Sequence, residues 1–439
     1  MMKRIVVLGA GVSGVGAAVL AKKKGFDVFV SDKGKIKDKF KTTLLHNNID
    51  YEEGTHTIKN ILIADEVIKS PGISDDIDLI NKINLRGVPV ISEVEFAFRY
   101  TKAKIVAITG SNGKTTTTLL LGHILKNAGY DVLVAGNIGV GFAFSVSERD
   151  YEYIVLEMSS FQLDGIKKFR SDIAIILNIS PDHMDRYDYN FENYVQSKFK
   201  ITKNQNLNDF LIYNSDDQHV NLIESNAKKL PISLINEFNE GGYLKKKELI
   251  IKINNQTMTI QELALQGKHN MFNSMAAAMA ARVFEVKDTI IRQSMLDFQN
   301  IEHRLEQVLT VHGIDFINDS KATNVNACWY ALESMQKDVV WIAGGVDKGN
   351  EYSDLYEIVE EKVRAIICLG EHNQKLIQSF QGKVETIVQA SSMSEAVNQS
   401  YSLANKGEVV LLSPACASFD LFKNYEDRGF QFKKAVRAL

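Results

Sequence analysis

Lys104-Ile-Val-Ala-Ile-Thr-Gly-Ser-Asn-Gly-Lys-Thr-Thr116 decides how the chain is read, because a short β-branched run breaks into a glycine loop and then into a helix. Residues 104–108 cluster apolar side chains as a buried strand does, and Leu119, Leu120, Leu121, Ile124 and Leu125 recur at helical spacing up to Gly129. Between them, Gly110, Ser111, Asn112, Gly113, Lys114, Thr115 and Thr116 read as a phosphate loop. Glycines let backbone amides converge on a polyanion at a helix N-terminus, where the helix dipole also favours negative charge. In that reading Lys114 holds terminal phosphates and Thr115 ligates Mg²⁺. Ile108 stands where the common form of such loops has its first glycine, so the pattern is the shorter Gly-x-x-Gly-Lys-Thr. The plainer alternative is a glycine turn between strand and helix, a context in which Gly-Lys-Thr seldom arises from packing alone.

A chain of 439 residues exceeds one ordinary core and suggests about three domains. Charged residues make up 24% and apolar ones 45%, with no apolar run long enough to span a membrane and no cationic leader before a cleavable segment. The expectation is a cytoplasmic protein without membrane insertion. A net charge of −3 gives no general attraction to nucleic acid, so any anion site is local. Cys328, Cys368 and Cys416 lack Cys-x-x-Cys spacing and support neither a disulfide framework nor a zinc cluster.

Working outward, the N-terminus repeats the strand, turn and helix theme with Arg4-Ile-Val-Val-Leu, then Gly9-Ala-Gly11-Val-Ser-Gly14, then a helix ending at Lys22-Lys-Lys24-Gly25. A strand over 26–31 follows, and Asp32 stands 18 residues past Gly14, near the place of the ribose-binding acid of a dinucleotide fold. Alone this is an NAD or FAD fingerprint, although other Rossmann-like domains use the same turn for a different diphosphate. Further strands are expected at 66–69 and 88–92, with a domain boundary near residue 93. Strands over 132–135, 153–157 and 173–178 alternate with turns as in a doubly wound sheet, and a helix covers 191–203, on which Lys198, with Lys200 and Lys203 nearby, reads by spacing alone as a solvated lysine. Residues 241–260 read as a hairpin with solvated Lys245–Lys247, and 267–285 as a helix. Near 301 a third α/β unit begins, with strands over 308–317, 339–343, 365–369 and 409–412.

Several residues with chemistry fall at strand ends. Glu157 offers hard oxygens suited to Mg²⁺ on the side where the phosphate loop must lie. His183, in Ser180-Pro-Asp-His-Met-Asp185, reads equally as a metal ligand, an acid/base group or a hydrogen-bonded loop histidine. Asp182 and Asp185 suit turn capping. Asn318-Asp-Ser-Lys-Ala-Thr-Asn324 and Gly344-Gly-Val-Asp-Lys-Gly349 place cations and hydroxyls at strand-to-helix turns that suit carboxylates or phosphates. For Asp319 and Thr323, simple helix capping is the alternative.

These motifs occur with Ser70-Pro-Gly-Ile73, Gly136-Asn-Ile-Gly139, Glu157-Met-Ser-Ser-Phe-Gln162, Asp182-His-Met-Asp-Arg-Tyr187, His269-Asn270, His303-Arg304 and Ser413-Pro-Ala-Cys-Ala-Ser418. In this order the chain resembles, over essentially its whole length, the Mur ligase family of peptidoglycan synthesis. Asp319–Asn324 and Ser413–Ser418 resemble its D-glutamate-adding branch. The resemblance implies an α/β protein of three domains. A Rossmann-like N-terminal domain (1–93) would bind UDP, a central mononucleotide-binding phosphate-loop domain (94–300) would bind ATP, and a C-terminal Rossmann-like domain (301–439) would bind the amino acid and nucleotide. It also implies a cytoplasmic, monomeric ligase that serves cell-wall biogenesis, cell shape and division.

The implied reaction is ATP-dependent amide formation between UDP-N-acetylmuramoyl-L-alanine and D-glutamate through an acyl phosphate. Lys114, His183 and Lys198 are the implied catalytic residues. Mg²⁺, as two ions, would be held by Thr115, Glu157, His183 and Lys198, the last as a carbamylated lysine. Asn270, Asn273, Arg304, Asp319 and Lys321 would join the phosphate loop around ATP. Gly11, Val12, Ser13, Asp32, Ser70, Gly72, Asn137, Ser159 and Gln162 would hold the UDP-sugar, and Thr323, Lys348, Ser418, Phe419 and Tyr425 the D-glutamate. The third-domain loop departs from the family's Gly-Gly-Asp-x-Lys, which leaves Asp347 without a carried-over role, and Tyr425 replaces a phenylalanine. Alternatives are a related amide ligase such as a folylpolyglutamate synthetase, or an NAD-binding oxidoreductase or binding protein.

Overall fold

The computed structural model describes residues 2–263, 265, 267–298 and 302–439. The described strands form three sheets. The first contains β1 (Arg4–Leu8), β2 (Asp27–Asp32), β3 (Asp50–Glu53), β4 (Glu66–Lys69) and β5 (Val90–Ser92), all parallel, in the order β3-β2-β1-β4-β5. The order reverses between β1 and β4, so the loops that follow these two strands, Gly9–Gly14 and Ser70–Ile73, open at the crevice where such sheets bind ligands.

The second sheet contains β6 (Lys104–Thr109), β7 (Val132–Gly136), β8 (Tyr153–Glu157), β9 (Ile173–Ile176), β10 (Phe210–Asn214), β11 (Lys228–Ser233), β12 (Gly241–Lys245), β13 (Glu248–Ile253) and β14 (Gln256–Ile260). Its order is β14-β13-β12-β11-β10-β9-β6-β8-β7. Val106–Ile108, Ile154–Leu156 and Ile173–Ile176 are completely buried, as parallel strands covered on both faces must be. The expected hairpin at 241–260 is a three-stranded antiparallel extension, turned at Lys246–Lys247 and at Asn254–Asn255 with all four residues at positive φ.

The third sheet contains β15 (Glu306–Val311), β16 (Ile314–Asn318), β17 (Val339–Ala343), β18 (Val363–Leu369), β19 (Thr386–Ala390) and β20 (Val409–Leu412), in the order β15-β16-β20-β17-β18-β19. The single strand expected over 308–317 is an antiparallel pair, because His312 and Gly313 both take positive φ and turn the chain. Strands β3, β10, β11 and β19 escaped the sequence reading. In β3 and β11, charged residues break the apolar alternation.

By compactness the chain divides into two units, Met1–Leu263 with Phe272–Asp297, and Ala264–Met271 with Phe298–Leu439. The expected boundary at 300/301 lies outside the described residues. Within the first unit, one hydrophobic core takes side chains from the first two sheets, including Ile5, Val7 and Val30 on one and Ile105, Leu133 and Ile154 on the other. The helix Val12–Lys23 packs against the helix Phe142–Glu148 across that core.

Two carboxylates hold the junction at residue 93, where the helix Glu93–Phe98 follows β5. Glu93 is 3% exposed and accepts the Ala143 amide at 2.6 Å. Glu95 accepts the amides of Lys167, Lys168 and Phe169 at 2.9, 2.9 and 2.8 Å. Burial raises the Glu93 carboxyl to about 7, against the opposing pull of the Ala143 and Phe142 amides. An unfolded glutamate ionises near its ordinary value, so between that pH and about 7 the folded chain holds the proton more tightly and stability falls as pH rises. The loss attributable to this group is at most roughly 3 kcal/mol and is complete above the folded value. Glu93→Gln should therefore lose less stability than the wild type between pH 5 and 7.5 in urea titrations, and parallel pH profiles would refute this account of Glu93.

Candidate active site

The loop after β6 adopts the cradle its sequence suggests. Gly113, at positive φ, caps the helix Lys114–Asn127, whose first turn carries no acidic side chain. Lys114 Nζ donates to the carbonyls of Gly110 and Ser111, both at 2.8 Å, so the ammonium lies within the loop's own ring. Asn178, beyond β9, locks the loop from the side: the Asn112 amide donates to its Oδ1 at 2.8 Å, and its Nδ2 donates to Asn112 O at 3.1 Å. Asn273 joins the same loop, accepting from Thr117 Oγ1 at 3.3 Å.

Glu157 ends β8 opposite both Ile108 and Gly136. It is 2% exposed, and its two oxygens are held separately. Thr115 Oγ1 donates to Oε2 at 2.7 Å and Asn137 Nδ2 donates to Oε1 at 2.9 Å. A buried carboxylate beside a hydroxyl at the mouth of a phosphate loop is a donor set that fits a hard divalent cation. Among the described residues no group of three or more His, Cys, Asp or Glu could hold a metal, so such an ion would complete its shell with water and phosphate oxygens.

Lys198 is the least ordinary group here. It lies on the helix Phe191–Phe199 and is 2% exposed, where spacing alone suggested a solvated side chain. Its Nζ donates to Gly110 O at 2.9 Å and sits 4.5 Å from the centre of the Tyr194 ring. Burial first, and then the charge of Lys114, push it far below the usual lysine range, although Asp182, Asp164 and Glu157 pull the other way. His183 stands on the rim at positive φ, 3.7 Å from Asp182 Oδ2 and edge-on to Phe161 at 5.2 Å.

At the first sheet, Gly11 caps the helix Val12–Lys23 with Val12 exposed and Ser13 half-buried beside it. Asp32 braces this turn from below, accepting Ala10 N at 2.6 Å and Gly34 N at 2.8 Å. Ser70 Oγ donates to Gly9 O at 3.4 Å, which joins the two crevice loops. Gly72 O accepts from Arg186 at 3.4 Å. Ser159 and Gln162 form a reciprocal capping box at the start of the helix Ser160–Asp164.

In the second unit, the loops after β16, β17 and β20 emerge at one sheet edge. Asp319 is 5% exposed and accepts Ser413 Oγ at 2.9 Å and Leu305 N at 3.2 Å. Burial raises it to about 7, opposed first by Arg304. The cap of the helix Val325–Glu333 is Asn324, so neither Asp319 nor Thr323 is the capping residue. Lys321 Nζ lies 5.4 Å from the Tyr425 ring centre, Ser418 is buried, and Lys348 and Phe419 are exposed. Asn270 is buried on the helix Lys268–Val283.

Three residues absent from the sequence reading complete these arrangements. Tyr194 meets Ser111 Oγ at 3.2 Å, and its spacing of four before Lys198 on one helix was the available signal. Asn178 gave no signal beyond its position after a strand. Arg428 is 1% exposed and joins Ser320 Oγ at 3.0 Å and Ser320 O at 2.9 Å to Cys416 O at 3.1 Å, and its place one turn past the Asn424 cap hinted at an inward face.

A model of the Mur ligase middle domain matches residues 108–281, one of the Mur ligase glutamate ligase domain matches 303–416, and one of the MurD N-terminal domain matches 4–79. The chain is 54% identical to a UDP-N-acetylmuramoylalanine--D-glutamate ligase of Christiangramia forsetii, with 100% of each covered. It is 53% identical to a protein of the same name from Bacteroides fragilis, again over 100% of both. Among solved structures it resembles a pseudomurein peptide ligase type C from Methanothermus fervidus, with TM-score 0.64, 20% identity and 99% of each chain covered. It also resembles a MurF ligase from Thermotoga maritima in complex with ADP, with TM-score 0.64, 16% identity and 94% and 95% covered. At these identities the two structures speak for the fold.

The close approach of β7 to the backbone of Glu157 depends on Gly136. A Cβ there would lie 2.3 Å from Glu157 O, and φ is +104°. Gly136→Ala should push β7 from β8 and lower stability by roughly 2 kcal/mol or more. An unchanged urea midpoint would show that the strand end is not so constrained.

Proposed function

The chain belongs to the Mur ligase family, and from this we propose that it joins the L-alanine carboxylate of UDP-N-acetylmuramoyl-L-alanine to the amine of D-glutamate at the expense of ATP, in peptidoglycan precursor synthesis. The observation that carries this is full-length identity of 54% to a ligase named for that reaction. The match of residues 4–79 to the MurD N-terminal domain supports a UDP-sugar at the Gly9–Gly14 turn, in preference to the NAD and folylpolyglutamate readings. We assign residues 1–93, 94–300 and 301–439 to three domains on the same basis. The protein works in the cytoplasm as a monomer, and wall synthesis links it to cell shape, division and the cell cycle. No described helix is long and apolar enough to cross a membrane.

A carboxylate is a poor electrophile, so it must first be activated. Its oxygen attacks the γ-phosphorus of ATP, ADP leaves, and the resulting acyl phosphate accepts the D-glutamate amine as inorganic phosphate departs. Phosphoryl transfer calls chiefly for alignment and charge neutralisation. Lys114 and the loop amides receive the terminal phosphates. Thr115 and Glu157 would hold one Mg²⁺, and His183 with carbamylated Lys198 a second. When bound, these ions would neutralise phosphate charge. Lys198 suits the modification because carbamylation by CO₂ needs a neutral amine, and burial supplies one. Asn137 orients the peptide end of the sugar substrate. Asn270, Asn273, Arg304, Asp319 and Lys321 carry nucleotide-binding roles by family position. Thr323, Lys348, Ser418, Phe419 and Tyr425 take D-glutamate, the Lys348 ammonium pairing with a carboxylate.

Phosphate release should require ATP, UDP-N-acetylmuramoyl-L-alanine and D-glutamate together. Release that is independent of D-glutamate would overturn the reading. Lys198→Ala should be nearly inactive yet regain part of its rate with added short-chain carboxylates, whereas Lys114→Ala, which lacks a cation, should not. Full activity of Lys198→Ala would dismiss the carbamate.

A further inference from the structure

The loops after β17 and β20 are tied together more closely than adjacent strand ends require. Val346 N donates to Ala417 O at 2.9 Å and Ala417 N returns to Val346 O at 3.2 Å, an isolated antiparallel bridge. A Cβ on Gly345 would lie 2.1 Å from Ala417 O, at φ +128°, so only glycine permits this approach. Beside the bridge runs a chain of side-chain contacts. Asp347 Oδ1 accepts the amides of Gly349 and Asn350 at 2.7 and 2.8 Å, and its Oδ2 accepts the Tyr352 hydroxyl at 3.1 Å. That hydroxyl meets Cys416 Sγ at 3.3 Å, while Asn350 Nδ2 donates to Ala415 O at 3.1 Å and reaches Cys416 Sγ at 3.3 Å. Tyr352 and Cys416 are 3% and 2% exposed.

The brace thus begins on the residue beside Lys348 and ends two residues before Ser418. An Asx turn would account for the two amide contacts of Asp347. It would not account for a second carboxylate oxygen committed to a buried tyrosine that reaches the neighbouring loop. Lys348 itself is exposed. A lysine on a flexible stem cannot measure distance unless its backbone is held, because the ammonium sweeps a wide arc.

We propose that Asp347 and Tyr352 are positioning residues that fix the spacing between the Lys348 ammonium and the Ser418 hydroxyl, and thereby select the amino acid by the separation of its two carboxylates. This rests on the reading of Lys348 and Ser418 as D-glutamate ligands. Glutamate and aspartate differ by one methylene between those carboxylates, a difference that a loosened pair of loops would accommodate.

The test uses Tyr352→Phe, which removes the hydroxyl and keeps the ring that packs 5.9 Å from Phe380. Loss of one buried hydrogen bond should raise the D-glutamate KM about ten-fold. The ATP KM and kcat should stay within about two-fold, and the kcat/KM preference for D-glutamate over D-aspartate should shrink. In a Lys348→Ala background the same change should have little further effect, because the group being positioned is gone. Asp347→Asn, which keeps an oxygen for the amides, should be milder than Asp347→Ala. If Tyr352→Phe folds poorly, Asp347→Ala on a side chain 25% exposed supplies the same comparison. Equal changes in all KM values, or full additivity with Lys348→Ala, would overturn the proposal. If Lys348→Ala itself leaves the D-glutamate KM unchanged, the ligand assignment fails, and the brace with it. If it raises that KM while Tyr352→Phe does not, only the brace is refuted.

Discussion

An amine buried within reach of a second lysine is the constraint around which the phosphate-loop region is arranged. Placing an ammonium wholly out of water is costly unless it is paired; Asp182, Asp164 and Glu157 act on Lys198, but burial outweighs them. Burial, with the charge of Lys114 beside it, therefore drives the group towards its neutral form, against the Gly110 carbonyl and the face of Tyr194 that it meets. Tyr194 in turn meets Ser111, and Ser111 Oγ donates to Ser180 O at 2.8 Å while accepting Ser180 N at 2.9 Å. The loop's shape, the helix that carries Lys198 and the approach to His183 form one connected set of contacts.

The strand-to-helix turns were the legible part of this molecule. Each combines a local breaker with an apolar period, and both are short-range properties of sequence. Thus Gly110–Thr116, Gly9–Gly14 and the loops after β16, β17 and β20 all lie at strand ends as read. What stayed hidden depends on contacts between distant residues. The burial of Lys198 is set by strands and helices far from it in sequence, so its neighbours Lys200 and Lys203 suggested a solvated face. Asp32 shows the same limit. Its position at the end of β2 was visible, but its grip on the Ala10 amide, 22 residues earlier, was not.

In the second unit the segment 415–417 serves as the common anchor. Arg428 fastens it to Ser320, the brace from Asp347 fastens it to the loop after β17, and Ala415 takes a positive φ that lets its carbonyl face Asn350. A guanidinium this deeply buried is tolerable because its donors meet fixed carbonyl and hydroxyl oxygens. Three loops from well-separated parts of the chain are thereby referred to a single short piece of backbone.

The core shared by the first two sheets bears on how such a protein can change over evolution. Glu93 and Glu95 bind amides beyond β7 and β8, and the helix Val12–Lys23 buries its face on the helix Phe142–Glu148, so no clean cut exists at the junction. A segment joined in this way is not an exchangeable cassette. Recombination that replaced residues 1–93 alone would bring a foreign surface against Phe142, Ala143 and Val146. Change at the first sheet is therefore reached more readily by substitutions in its loops than by exchange of the whole segment.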